Sequence, residues 1–149
     1  MAHALTITPP EHADIQELAQ QLLLAKQVVL DATGAKLSDS EDDLELLQAV
    51  IDAGVLHPDQ TYEWQSLGLV FGRVLVATYP GFDWFVVEDE HGRDPALRYE
   101  QTSILVFPLT TISKRIEDGK TVSVRALFDG LLEHLDELTE ELGWQGKPN

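Results

Sequence analysis

Apolar residues recur at helical spacing through Ile15, Leu18, Ala19, Leu22, Leu23, Ala25 and Val29. That spacing predicts an amphipathic helix with one buried stripe, stopped at Gly34. Ahead of it, Ala4–Thr8 alternates apolar and polar residues. Thr8 can cap the helix, Pro9 and Pro10 fall in its first turn, and Glu11 and Asp14 suit its positive end. A polar loop over 35–43 follows, in which Ser40 precedes Glu41, Asp42 and Asp43, a start signal for a second helix. Leu44, Leu47, Val50 and Ile51 form its apolar stripe, and Gly54 ends it. His57-Pro58 reads as a turn.

A third helix is predicted from Asp59 or Thr61 to about Thr78. Its apolar residues, from Trp64 through Val76, wrap most of the circumference, the pattern of a central, buried helix. Gly68 and Gly72 lie four apart on one face of it. Each costs about 1 kcal/mol relative to alanine, so another element is expected to pack close to the backbone there. After the turn Tyr79-Pro80-Gly81, the bulky run Trp84–Val87 predicts a strand over 82–90. Glu90–Pro95 reads as a turn, Ala96–Tyr99 as a short second strand and Ser103–Phe107 as a third. The connections are too short for parallel crossovers, so the strands are expected to be antiparallel.

Pro108 opens a short helix through Leu109, Ile112 and Ile116, with Lys114 and Arg115 toward its C-terminal end and Gly119 after it. Ser123 caps a final helix whose stripe runs from Val124 and Leu127 to Leu138 and Leu142, ending at Gly143 with a tail beyond. The expected class is α+β. Three N-terminal helices precede a small antiparallel sheet of about three strands, and two C-terminal helices follow.

Length and charge narrow the function classes. The chain has 149 residues, the size of one domain, here expected to span 1–149 and large enough to bury a core without staples. It has no cysteine, which excludes disulfides, thiolate metal sites and cysteine nucleophiles. The N-terminus lacks a basic segment followed by an apolar one, and no apolar run is long enough to cross a membrane. A soluble, cytoplasmic protein is therefore expected. Formal charge is −16, from 26 acidic and 10 basic residues. That charge disfavours nucleic acid and anionic membranes, and would steer a basic partner. The imbalance is uneven. Residues 61–121 carry 9 acids and 6 bases, whereas residues 1–60 carry 11 acids and 2 bases.

Candidate chemistry concentrates in the central stretch. Glu88, Asp89, Glu90, His91, Arg93, Asp94, Arg98 and Tyr99 bring carboxylates, a histidine and two guanidinium groups near one turn, with Lys114 and Arg115 on the helix that follows. Carboxylates at i and i+2 could share a proton or a cation. The competing structural reading is that Arg93 and Arg98 pair with Asp89, Asp94 or Glu117 and pin the hairpin to that helix. The histidines at 3, 12, 57, 91 and 134 show no metal-ligand spacing. Neither GxSxG nor a glycine-rich phosphate loop occurs. No cofactor, metal or catalytic residue is expected. Acidic helix faces at Glu41–Glu45 and Glu133–Glu141 read either as solvated surface or as docking surface for a basic protein. Trp64 and Trp84 fit a core or an interface equally well.

The segments LGLVFGRVL at 67–75, WFVVEDEHGRDPALRY at 84–99 and TSILVFPLTTISKRIEDG at 102–119 resemble the bacterial family called Domain of Unknown Function 3806, across residues 64–129. The resemblance implies a globular α+β domain and carries no catalytic residues. Acidity and the absence of catalytic motifs point to a non-catalytic protein that binds another protein, and one hypothesis within that reading is an immunity or inhibitor type that masks a basic partner. The competing class is an enzyme or small-ligand binder using the charged turn at 88–99 with Lys114 and Arg115.

Overall fold

In the computed structural model, which describes residues 5–146, α3 (Thr61–Thr78) is the element against which the others pack. Trp64, Leu67, Val70, Phe71, Val74 and Leu75 are all buried, as a helix apolar around its girth requires. It contacts α1 (His12–Thr33), α2 (Asp42–Ala53), α4 (Pro108–Glu117) and the first long strand, and α2 in turn packs on α5 (Val124–Gly146). Trp64 belongs to the core, its indole N–H donating to the His57 carbonyl at 2.9 Å. Phe71 meets Phe128 of α5 edge to face, with centroids 5.6 Å apart.

The two glycines of α3 mark the closest helix contact. A Cβ on Gly68 would run into the Pro108 carbonyl oxygen and lie 2.8 Å from Leu109 Cα. A Cβ on Gly72 would lie 2.7 Å from Pro108 Cγ. The element expected to approach α3 is therefore the first turn of α4.

The sheet is antiparallel with order β1-β2-β3-β4: β1 (Thr6–Thr8), β2 (Phe82–Asp89), β3 (Gly92–Tyr99) and β4 (Leu105–Val106). It has four strands among the described residues where about three were expected. The added strand is the N-terminal alternating piece, whose Thr6, Ile7 and Thr8 pair with Glu88, Val87 and Val86. Thr8 is therefore extended backbone, and α1 begins later, at His12. Glu11 is its N-cap, and a reciprocal capping box joins Glu11 and Asp14. Ala4 lies outside the described residues. The hairpin turn is also tighter than expected. Only Glu90 and His91 separate paired Asp89 and Gly92, and Gly92 has φ 127°. Arg93, Asp94 and Pro95 thus belong to β3. The third strand shrinks to two residues, because β4 pairs only with Leu97 and Arg98.

Three other boundaries or faces differ from the expectation. Gly143 does not end α5, which continues to Gly146; the last three residues lie outside the described residues. The supposed single stripe of α1 splits in two. Ala25 and Val29 are buried, whereas Ile15 and Leu23 are 55% and 66% exposed, because α1 meets α3 along a face centred on Gln21, Ala25 and Val29. Asp43 is not simply a helix-start charge. Its buried carboxylate accepts the Ser38 and Asp39 N–H groups at 2.8 and 2.9 Å and organises the loop before α2.

Among the described residues, no helix is long and apolar enough to cross a membrane.

Candidate functional site

A cleft of about 480 Å³ opens where the hairpin end faces α1, α3 and the start of α4. Each wall follows from a local choice in the sequence. From α1, Glu17 and Gln21 sit one turn apart and so share a face. Tyr62 and Gln65 come from the first two turns of α3. Asp89, Arg93, Asp94 and Pro95 come from the hairpin, where the two-residue turn brings β2 back as β3. Phe107, Leu109 and Thr110 line the side where Pro108 starts α4, and Lys114 reaches the cleft from its last turn.

Arg93 fixes the hairpin to α1. Its guanidinium forks onto the Asp14 carboxylate, with Nη2 at 2.6 Å and Nε at 3.3 Å, and lies 4.0 Å from both Glu11 and Glu88. The Arg93 hydrogen bond, together with one from the Glu11 N–H, holds the Asp14 carboxyl below its ordinary 3.8. Asp14 in turn raises the Arg93 guanidinium. Such a forked pair fixes geometry as well as charge. The sequence had offered Asp89, Asp94 or Glu117 as partners for Arg93. The partner is instead Asp14, 79 residues away.

With Arg93 engaged, the side chains of Asp94 and Lys114 make no ion pair or hydrogen bond among the described residues. Asp89 accepts the His91 N–H at 2.8 Å. Glu17 accepts the Tyr62 hydroxyl at 2.8 Å, and that bond, with burial, pushes the phenol above its ordinary 10.0. Gln21 is only 4% exposed, yet its side chain has no hydrogen-bond partner among the described residues. Since no polar side-chain atom there is both fully buried and unbonded, the accessible part of Gln21 includes its amide.

The structure brings four of the residues singled out in the sequence into the cleft: Asp89, Arg93, Asp94 and Lys114. Glu88 sits on β2 beside β1 and near Arg93. Glu90 and His91 form the exposed turn, 3.5 Å apart. Arg98 lies 5.4 Å over the Phe85 ring and donates to the Thr102 carbonyl at 2.7 Å. Tyr99 is at the far end of β3, in an aromatic cluster with Tyr79 and Phe82. At about 3.3 Å per residue, the length of β3 keeps it away from the turn. Arg115 donates to the Thr111 carbonyl at 2.8 Å and faces a groove under α5. Gln21, Gln65 and Tyr62 carried no signal in the sequence, since polar residues on a helix read as solvated surface. Among the described residues, no three of His, Asp and Glu converge in a way that could hold a metal ion.

The family pattern described as Domain of unknown function (DUF3806) matches residues 43–128, more than half of the chain. The chain belongs to this family. The DUF3806 segment supplies the α3, hairpin and α4 walls of the cleft, while Glu17 and Gln21 lie before it. No curated protein matches the chain. Among solved structures, a crystal structure from Bacteroides thetaiotaomicron VPI-5482 is similar, with a TM-score of 0.82 and 19% identity. The similarity covers 90% of this DUF3806 chain and 49% of the other, so this chain spans about half the length of that protein. At that identity the likeness concerns the fold.

Proposed function

We propose that the protein is a non-catalytic binding domain that captures a basic segment of a partner protein in the cleft between the hairpin, α1, α3 and α4. The observation that carries this reading is the charge left over in the cleft. Glu17, Asp89 and Asp94 face Arg93 and Lys114, but Arg93 is already taken by Asp14 at 2.6 Å. A carboxylate excess remains, with Asp94 unpaired among the described residues. A lysine or arginine side chain would neutralise it, and Phe107, Pro95 and Leu109 offer apolar surface to the stem of such a side chain. The net charge of −16 would speed encounter with a basic surface. An inhibitor or immunity role, in which the domain masks a basic partner, is one form of this function.

A positional-scanning peptide library read by fluorescence polarisation tests it. Lysine or arginine should be selected at one position, with affinity falling as salt rises. Selection of acidic residues, or none, would overturn the reading. The cleft volume also suits a small molecule, since such sites span roughly 300–1,000 Å³. Under that second reading, small amines would bind as tightly as peptides containing lysine.

A further inference from the structure

The geometry points to Gln21, with Gln65 beside it in the same cleft, as the group that reads a peptide amide of the occupant. This rests on the cleft being a binding site, and adds which part of a peptide the inner wall recognises. Gln21 is the one glutamine among the buried residues of the core-facing side of α1. A residue there has every packing reason to be apolar, as Ala25 and Val29 are on the next two turns. Its amide nevertheless has no bond to the described residues. Gln48, on α2, shows the contrast: its side chain donates to the Val122 carbonyl at 3.1 Å and accepts the Val124 N–H at 2.8 Å, tying α2 to α5. That glutamine is a structural clamp reading backbone on both its atoms. Gln21 has the same two functions, a carbonyl acceptor and an NH₂ donor, turned toward a cleft rather than toward the chain.

A primary amide complements a peptide unit because each has one C=O and at least one N–H. Gln65, half-buried on α3 and lining the same cleft, also has no side-chain hydrogen bond among the described residues. The two amides come from different helices held together by the α1–α3 packing, so their positions are set by the core. Asp89 and Asp94 lie on the hairpin side and the amides on the helix side. The occupant that satisfies both is a peptide segment whose basic side chain meets Asp94 while a main-chain amide meets Gln21. A free amine or a metal cation would use only the carbonyl oxygens of the amides and leave their NH₂ donors unread.

The test uses the full chain and three small probes followed by the backbone N–H and side-chain NH₂ resonances in ¹H–¹⁵N spectra. The probes are N-acetyl-lysine methylamide, N-acetyl-alanine methylamide and n-butylamine. The expected result is that both amide probes shift the Gln21 NH₂ resonance and butylamine does not. Q21L should weaken N-acetyl-lysine methylamide about tenfold without lowering the melting temperature. Shifts from butylamine near Asp94, with no amide response at Gln21, would sink this inference and leave the basic-segment reading standing. A response at Gln21 to N-acetyl-alanine methylamide, with none to either amine near Asp94, would do the reverse. Silence from all three probes overturns both. A structural role for Gln21 predicts instead that Q21L lowers the melting temperature and leaves affinity unchanged.

Discussion

Arg93 and its partner show what single residues contribute and how poorly sequence distance predicts them. Arg93 was legible as a site residue because it sits in a charged stretch. Its partner Asp14 was legible only as a favourable charge at the start of α1, and the 79 residues between them hide the pairing that pins the hairpin. Gln21 was illegible for another reason: a lone glutamine in a polar run has no periodicity to distinguish it from surface. The tyrosines offer a direct reading of local environment. Tyr62, Tyr79 and Tyr99 are all the tyrosines of the chain, and each phenol is raised above 10.0. For Tyr62 the main cause is the hydrogen bond to Glu17, and for Tyr79 and Tyr99 it is burial. Because the neutral form is favoured in the fold, the stability they contribute is present below pH 10.0 and is lost as pH rises through the folded values. Absorbance titration at 295 nm should show no tyrosinate midpoint at or below pH 10.0 while the protein is folded. A normal midpoint for any of the three would contradict its described surroundings.

At the scale of elements, the helices were easier to read than the sheet. The wrapped apolar pattern of α3 and its glycine pair led to a central helix with a close neighbour, and the first turn of α4 fills that place. Thr8, the last residue of β1, was read as the cap of a helix because so short an alternating piece does not separate a strand from a leader, and only pairing with β2 defines it. The split face of α1 was hidden for a related reason. Periodicity records which residues are apolar, and tertiary contact decides which of two adjacent faces is covered. The α3–α4 contact carries a quantitative expectation. Gly68→Ala should lower stability by about 1–3 kcal/mol, seen as a lower urea midpoint, because the new methyl meets the Pro108 and Leu109 backbone, which no rotamer change relieves. Gly72→Ala should cost less, since it meets the Pro108 ring and the Trp84 side chain. An unchanged or raised midpoint for Gly68→Ala would mean that the two helices do not approach as described.

For the molecule as a whole, charge distribution decides more than fold. The α+β class and family membership leave function open, and the similar crystal structure is about twice as long as this chain, sharing its fold at 19% identity. What distinguishes the cleft is that core packing holds its walls in place while its charge balance leaves Asp94 without a partner among the described residues. The acidic surface elsewhere would act over longer range, bringing a basic partner near and losing its influence beyond about 8 Å at physiological salt. The most direct test is therefore a reversal of that one charge. In the positional-scanning peptide assay, Asp94→Lys should exchange the preference for lysine or arginine at the selected position for aspartate or glutamate, with the melting temperature nearly unchanged because Asp94 is exposed. If Asp94→Lys keeps the wild-type preference, the cleft is not where the basic segment binds.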